Sequence, residues 1–280
     1  MSAIVVVHNL QARSSGQTPL DLCLRSAMAE PWIDDLIVID HGCAAEVSSA
    51  LRAMQLDRRD MKVLSVDAKT SAAAAANVGA QNARGRWLLF LDPGVVLQRG
   101  AVARMAAAGG DAPQPWIVGG RLTDLEGRER RAVRAGSLNT FSAIAVAMEW
   151  PTRKPPKRTR RNTDRGEPVA AVSGALMLIP HGDFQSLNGF DESFVSDYAD
   201  LDLCRRAAAA GGSVLFQPEA SGVQFERRRS GRKQVQGLAL FAAKSARTPI
   251  EKAFALIALP ALGVLLGLRD FVAGRPPVRR

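Results

Sequence analysis

Three polar residues stand where short apolar runs end: Asn9, Asp40 and Asp92. Runs of this kind are typical of buried strands, and ligands of open parallel sheets bind beyond the carboxyl ends of the strands. These side chains are therefore the first candidates for a binding site. An aspartate at such a turn also has a purely structural use, because its carboxylate hydrogen-bonds to nearby backbone N–H groups.

Two carboxylates, Asp200 and Asp202, open a stretch of helical pattern that Gly211 and Gly212 close. A carboxylate at the start of a helix can act as a general base, which contributes about 10²–10⁴ in rate. It is also favoured there by the helix dipole alone. Because positions i and i+2 do not share a helix face, only one of the pair can face a substrate.

The elements that must position these residues alternate between strand and helix. Near-continuous apolar strands separated by helices indicate a parallel sheet that is covered on both faces. We therefore predict an α/β fold with a Rossmann-like, mainly parallel sheet and helices on both faces. The predicted strands are 4–7, 35–40, 62–66, 86–91, 117–122 and 172–179, and the predicted helices are 20–28, 46–56, 71–83 and 200–210.

Composition narrows the choice of partners. The net charge of +10 favours an anionic partner. Aromatic residues make up only 5% of the chain and no nucleic-acid-binding motif is present, so we expect no nucleic acid partner. The three cysteines are far apart and odd in number, which predicts reduced thiols in a cytoplasmic protein.

Two segments have open interpretations. Residues 152–165 carry seven basic residues and fit either a solvated loop or a mobile loop over the active site. Residues 253–268 form an apolar run that is shorter than the roughly 20 residues needed to span a bilayer. With basic residues on both sides, this run fits either a peripheral anchor on the acidic inner face of the cytoplasmic membrane or a helix packed on the domain's own core.

Seven stretches, in matching order and spacing, resemble the family-2 glycosyltransferases, particularly the bacterial rhamnosyltransferase-like branch. Together they cover roughly residues 3 to 225, and the downstream stretches match best. The stretches are 5–9 (VVVHN), 37–43 (IVIDHGC), 77–85 (NVGAQNARG), 89–94 (LFLDPG), 172–175 (VSGA), 189–194 (GFDESF) and 200–206 (DLDLCRR).

The resemblance implies a fold, a domain organisation and a reaction. The fold is of the GT-A type, with one domain over 1–235 whose nucleotide-binding half is 1–97 and whose acceptor half is 116–235. A C-terminal helical segment follows over 236–280. The reaction is an inverting transfer from a nucleoside-diphosphate sugar to a hydroxyl of a glycan or lipid-linked acceptor, in cell-envelope polysaccharide synthesis.

On the donor side, the resemblance gives each strand-end residue a role. Asp40 matches the residue that accepts the N–H of a uracil or thymine base, and Asn9 and Asn77 are expected to support the same pocket. Asp92 is the first residue of a degenerate Asp-x-Asp motif, the candidate ligand for Mg²⁺ or Mn²⁺.

On the acceptor side, the resemblance makes Asp200 the general base. Asp191 and Glu192 are expected to line the acceptor site, where they contact the acceptor or hold the following helix. Asp202 is placed on the same side, where it caps the helix or pairs with an arginine.

Three departures from the family pattern concern the metal. Gly94 stands at the second carboxylate position, Ala199 replaces the Glu before the base, and no histidine follows residues 218–220. Arg227 and Arg228 fall where that histidine would lie, and arginine binds phosphate in a bidentate way. We expect either metal-independent donor binding through these arginines or, as the alternative function, a catalytically impaired relative that binds a nucleotide, a glycan or a partner protein.

Overall fold

The structure is a computed structural model that describes residues 1–11, 17–130, 166–195, 198–225 and 231–245. These residues form ten strands and seven helices. The strands are β1 (Ser2–His8), β2 (Asp35–His41), β3 (Met61–Val66), β4 (Trp87–Leu91), β5 (Val95–Leu97), β6 (Trp116–Thr123), β7 (Glu129–Arg130), β8 (Glu167–Pro168), β9 (Leu176–Pro180) and β10 (Ser213–Gln224). The helices are α1 (Pro19–Met28), α2 (Ala45–Leu56), α3 (Ala72–Gln81), α4 (Ala101–Gly109), α5 (His181–Ser186), α6 (Ala199–Ala209) and α7 (Gly231–Ser245).

The strands form one mixed sheet in the order β3-β2-β1-β4-β9-β6-β10-β5, with β7 paired to β6 and β8 to β10. The neighbours β3, β2, β1 and β4 are parallel, and so are β6 and β10. β9 lies between β4 and β6 and runs antiparallel to both. The predicted α/β class with a mainly parallel sheet is confirmed.

Two strands differ from the sequence expectation. The strand predicted over 172–179 begins only at Leu176, because the Ser173 carbonyl accepts a hydrogen bond from the Leu176 N–H and closes a turn. β10 was not predicted, since Pro218 and Gly222 are poor strand residues. The strand accommodates Pro218 in a bulge, where its pairing with β6 shifts between Gln217 and Ser221.

Two apolar layers cover the sheet, one on each face. Alternate residues of one strand enter different layers, so that Ile4 of β1 packs in the layer with α3, α5, α6 and α7, and Val5 packs in the layer with α1 and α4. Helix α3 lies very close to the sheet at Gly79, where an added Cβ would come within 2.6 Å of Ile4 Cγ2. Only a residue without a side chain fits there. The prediction of helices on both faces is confirmed.

Helix α7 is joined to the turn that carries Asp191. Phe241 is fully buried against Tyr198, and the ring centroids are 6.4 Å apart. Beyond this contact, Lys244 Nζ pairs with the Asp191 carboxylate and donates to Ser193 Oγ at 2.9 Å. Asp191, Ser193 and Lys244, here called the latch, therefore hold α7 against the turn.

Several expectations fall outside the described residues or are left open. The segments 152–165 and 253–268 and the pair Arg227 and Arg228 are outside the described ranges. Within those ranges, no helix combines the length and apolar character needed to cross a membrane. The predicted boundary after residue 235 falls inside α7, and the division into two halves stays a prediction.

The latch generates a prediction about acid stability. Burial disfavours the charged form of Asp191, but hydrogen bonds from Lys244 and Ser193 outweigh it and lower the pKa of Asp191 to about 2. Because the folded pKa lies below the ordinary value of 3.8, ionised Asp191 stabilises the fold above about pH 4. That stabilisation is lost as the pH falls from about 4 to about 2.

We therefore expect Lys244→Met to lower the free energy of unfolding at pH 7 by about 1 kcal/mol, a value discounted for partial exposure. It should also flatten the loss of stability between about pH 4 and pH 2, measured by chemical denaturation at a series of pH values. Exposed Lys69, changed to Met, is the matched control. An unchanged acid profile in Lys244→Met would show that the latch contributes nothing.

Candidate active site

The carboxyl ends of β1 and β2 are joined directly. His8 and His41 are register partners at the ends of these strands, and the Asn9 N–H donates to the His41 carbonyl at 3.0 Å. Asn9 has a φ of +48°, a left-handed conformation that asparagine tolerates better than most residues. The exposed Asn9 side chain thus stands at the edge of the sheet, beside the end of β2.

Asp40 is buried at the end of β2, and one of its carboxylate oxygens accepts a hydrogen bond from the backbone. Oδ1 accepts a hydrogen bond from the Cys43 N–H at 3.2 Å. The intervening Gly42 needs its positive φ of +68°, and a Cβ there would come within 2.4 Å of Ala68 Cβ. The Cys43 thiol also lies beside this carboxylate, and burial together with the neighbouring Asp40 raises the pKa of that thiol.

A histidine pair lies beside Asp40. The Nδ1 atoms of His8 and His41 are 3.1 Å apart, and His41 Nε2 lies 3.1 Å from the Thr70 carbonyl oxygen. A carbonyl only accepts, so His41 Nε2 carries the proton, His41 Nδ1 accepts, and His8 Nδ1 donates. Sequence reasoning gave neither histidine a site role, although the parallel register of β1 and β2 was the signal that aligns them.

Asp92 directly follows β4 and lies against the residues that precede β9. Its N–H donates to the Ala175 carbonyl at 3.0 Å, because antiparallel β9 begins where β4 ends. Its carboxylate Oδ1 accepts from the Gly94 N–H at 2.9 Å. The Gly94 carbonyl in turn accepts from the Phe225 N–H at 2.9 Å, which brings the end of β10 to the same edge.

The segment before β9 connects Asp92 with Asp200. Gly174, the neighbour of Ala175, donates its N–H to Asp200 Oδ2 at 2.8 Å, and the Leu201 N–H donates to Asp200 Oδ1 at 2.9 Å. Asp200 is half-buried in the first turn of α6. Asp200, the predicted base, and Asp92, the predicted metal ligand, are therefore joined through the consecutive residues Gly174 and Ala175.

The described residues do not provide a complete set of protein ligands for a divalent cation. Mg²⁺ and Mn²⁺ prefer carboxylate oxygens, and Gly94 supplies none beside Asp92. Across the described ranges there is no group of three or more His, Cys, Asp or Glu side chains that could hold a metal ion. A Cβ at position 94 would stand 3.3 Å from Asp92 Oδ1, so a side chain there would begin beside that carboxylate.

The turn 187–192 lies between α3 and α6. Asn77 of α3 donates to the Phe190 carbonyl at 2.8 Å and to Glu192 Oε1 at 2.9 Å, and its own Oδ1 accepts from the Phe190 N–H at 2.9 Å. Both amide hydrogens of Asn77 are thus donated to the turn that carries Asp191 and Glu192. The structure brings Asn77 to the acceptor-side residues, and its donor-binding role stays a prediction.

Asp202 is buried beneath the helix start. Its carboxylate accepts from Arg205 Nη2 at 2.8 Å and from Arg206 Nε at 2.7 Å. The arginine pairing expected for Asp202 is present, and the side chain is only 1% exposed. Asp200 and Asp202 therefore have different surroundings, as their i and i+2 spacing predicts.

The cysteines are free thiols with little capacity for nucleophilic chemistry. Burial raises the pKa of the Cys204 thiol to about 12, and burial also raises the pKa of Cys23 and Cys43. Cys43 donates its S–H to the Val7 carbonyl. Since only a thiolate is strongly nucleophilic, these three thiols are poorly suited to act as nucleophiles.

One cavity among the described residues lies away from the carboxylates of the candidate site. It has a volume of about 340 Å³ and is lined by Met1, Pro31, Trp32, Asp34, Arg86 and Trp87. These residues lie at the amino ends of β1, β2 and β4, the opposite edge from Asp40 and Asp92. The cavity holds none of the predicted site residues.

Curated proteins include relatives of this chain. A curated relative, the N-acetylglucosaminyl-diphospho-decaprenol L-rhamnosyltransferase of Mycobacterium tuberculosis, is 24% identical over 163 residues, which are 55% of this chain and 51% of the relative. The chain thus spans about half the length of the curated relatives that it matches.

Solved structures of glycosyltransferases share the fold. The crystal structure of GalNAc-T7 with UDP, GalNAc and Mn²⁺ has a TM-score of 0.64 and 18% identity, covering 81% of this chain and 43% of that one. The mannosyltransferase PcManGT of Pyrobaculum calidifontis, in complex with GDP-Man and Mn²⁺, has a TM-score of 0.58 and 14% identity, covering 99% of this chain and 76% of that one. The predicted GT-A type of fold is confirmed.

The family itself follows from the sequence. The profile of the family described as glycosyltransferase like family 2 matches residues 3–244. Because this match covers most of the 280 residues, the chain belongs to the glycosyltransferase like family 2.

Proposed function

We propose that this protein transfers a sugar from a nucleoside-diphosphate sugar to an acceptor hydroxyl with inversion at the anomeric carbon, and that Asp200 is the general base. One observation carries the proposal. The Asp200 carboxylate is held by the Gly174 N–H next to Ala175, whose carbonyl is bonded to the Asp92 N–H at the end of β4. This connection supports the assignment of Asp200 as a base beside the edge where ligands of such sheets bind.

The reaction requires three kinds of group from the protein: a general base, contacts to the donor and contacts to the acceptor. The acceptor hydroxyl gives its proton to an Asp200 oxygen while its own oxygen attacks the anomeric carbon. The bond from that carbon to the diphosphate oxygen breaks, and the nucleoside diphosphate leaves with the electron pair. Asp40 receives the base N–H of the donor through its carboxylate, and Asn9 stands at the same edge. Asp191 and Glu192 face the acceptor.

The substrate classes are suggested by the relatives. The mycobacterial relative is named for L-rhamnosyl transfer to N-acetylglucosaminyl-diphospho-decaprenol, which favours a lipid-linked acceptor and a role in cell-envelope polysaccharide synthesis. Two solved neighbours hold UDP and GDP-Man, which favours a nucleotide donor. The net charge of +10 suits a diphosphate acceptor at an acidic cytoplasmic membrane surface, where we place the protein peripherally.

Asp200→Asn tests the base directly. We expect it to lower turnover by about 10²–10⁴, because the amide cannot take the acceptor proton. Donor hydrolysis is measured with UDP-GlcNAc, GDP-mannose and dTDP-L-rhamnose, and the exposed Asp57→Asn variant serves as the control. Equal turnover in Asp200→Asn and wild type would remove Asp200 as the base. Thermal stabilisation by UDP, dTDP or GDP without any turnover in wild type would favour the alternative, a binding protein.

Gly174→Ala tests the placement of that carboxylate. A Cβ on Gly174 would lie 3.2 Å from Asp200 Cβ, so the substitution shifts Asp200 by a few tenths of an ångström. Because small misplacements are costly in catalysis, we expect turnover to fall about tenfold while the free energy of unfolding changes by less than about 1 kcal/mol. Gly182→Ala, where nothing lies within 4 Å of the new Cβ, is the control. Undiminished turnover in Gly174→Ala would contradict the assigned position.

The charge on the leaving diphosphate needs a counterpart, and we assign it to Arg227 and Arg228. Two observations support this choice: Gly94 leaves Asp92 without a second carboxylate, and Phe225, two positions before Arg227, is hydrogen-bonded to Gly94. Arginine donates two parallel hydrogen bonds to phosphate oxygens. The arginines therefore take the place of the metal site.

Metal removal tests this assignment. We expect EDTA to change donor binding by less than about twofold, and Arg227→Ala with Arg228→Ala to weaken it at least about tenfold, since charge-assisted hydrogen bonds are lost. Donor binding is measured by calorimetry with UDP-GlcNAc, GDP-mannose and dTDP-L-rhamnose. Gly94→Asp, which adds a carboxylate beside Asp92, should acquire a response to Mn²⁺. If EDTA abolishes binding in wild type and Mn²⁺ restores it, the arginine assignment is wrong.

A further inference from the structure

The guanidinium of Arg206 joins the helix of the proposed base to the acceptor-side turn. Its Nε donates to Asp202 Oδ2 at 2.7 Å, within the same helix. Its Nη2 donates to the Gly189 carbonyl at 2.7 Å, and its Nη1 donates to the Leu187 carbonyl. One planar group therefore contacts a buried carboxylate on one side and two backbone carbonyls on the other.

The turn is held from its opposite side by Asn77. The Asn77 amide exchanges two hydrogen bonds with the Phe190 backbone and donates a third to Glu192. Gly189 has a φ of +66°, and a Cβ there would come within 2.8 Å of Asn77 Oδ1. The backbone of the turn is thus fixed between an amide on α3 and a guanidinium on α6.

This double attachment determines where the acceptor-side carboxylates stand relative to Asp200. Asp191 and Glu192 directly follow the clamped residues, and Asp200 lies on the same rigid helix as Arg206, about 9 Å away along the axis. Arg206 touches neither the donor edge nor Asp92 within the described residues. A change at Arg206 therefore moves the turn against Asp200 and leaves the Asp200 bond to Gly174 intact.

We propose that Arg206, oriented by Asp202, is a positioning residue that fixes where the acceptor-facing turn lies relative to Asp200. The proposal rests on the proposed function, in which this turn faces the acceptor. It assigns Asp202 an indirect role, which is to fix the guanidinium plane so that two of its nitrogens face the carbonyls of the turn. The ligand class affected is the acceptor and not the nucleotide sugar.

Arg205 supplies a matched control in the next position of the chain. Its Nη2 donates to the other oxygen of the same carboxylate, Asp202 Oδ1, at 2.8 Å. The two side chains have similar exposure, 28% for Arg205 and 23% for Arg206. Arg205 makes no contact with the turn among the described residues, and its buried Nε has no hydrogen-bond partner there. Each arginine can thus be removed with the loss of one contact to Asp202, but only Arg206 carries the contacts to the turn.

The experiment compares Arg206→Ala and Arg206→Lys with Arg205→Ala in the full chain. Transfer is followed to an N-acetylglucosaminyl-diphospho-lipid, with dTDP-L-rhamnose as donor, and donor hydrolysis is followed without acceptor. We expect both Arg206 variants to raise the acceptor KM about tenfold and to leave donor hydrolysis within about twofold of wild type. Arg206→Lys keeps the charge beside Asp202 but lacks the planar fork, so charge alone should not rescue the acceptor KM.

A second readout needs no substrate. Hydrogen exchange of residues 187–194 should be faster in both Arg206 variants than in wild type, with Arg205→Ala close to wild type. Equal acceptor KM and equal exchange in the Arg206 and Arg205 variants would overturn the positioning role. The proposed function fails by a different result, namely undiminished donor hydrolysis in Asp200→Asn, so the two failures are distinguishable.

Discussion

The reversed strand β9 is the constraint on which the site depends. Because it runs antiparallel to both β4 and β6, its first residue, Leu176, pairs with Leu91, the last residue of β4. Gly174 and Ala175, which directly precede Leu176, therefore lie at the carboxyl edge of the parallel strands. Gly174 reaches Asp200 there, and Ala175 reaches Asp92. A parallel strand in the same place would begin at the opposite edge and would bring neither contact.

The two sides of the candidate site are held by different kinds of interaction. On the proposed donor side, the carboxylates of Asp40 and Asp92 each accept a backbone N–H from two or three residues further along the chain, so these bonds are local turns at strand ends. On the acceptor side, the turn is held by the side chains of Asn77 and Arg206. A buried ion pair such as that of Asp202 contributes little net stability compared with apolar packing, so its value here lies in geometry.

The sequence was informative where structure is local and uninformative where it depends on distant pairing. The β-branched runs before Asn9 and Asp40 predict their strands because burial and propensity agree there, and the parallel register then places both residues at one edge. The direction of β9 could not be predicted, since it depends on pairing with β4, whose residues lie far away in the chain. The role of Asn77 was equally hidden, because its partner Phe190 is 113 residues away.

That separation has a consequence for when the enzyme becomes complete. Contacts between residues far apart in sequence are the slowest to form during folding, because a long loop must close first. The strands β1 to β4 emerge from the ribosome long before Gly174, Asp200 and Arg206. The edge proposed to receive the nucleobase is thus made from the first third of the chain, whereas the proposed base and the proposed acceptor-facing turn join it only when most of the protein has been synthesised. Unfinished chains have Asn9 and Asp40, the proposed contacts to the nucleobase, but lack Arg227, Arg228 and the proposed base Asp200.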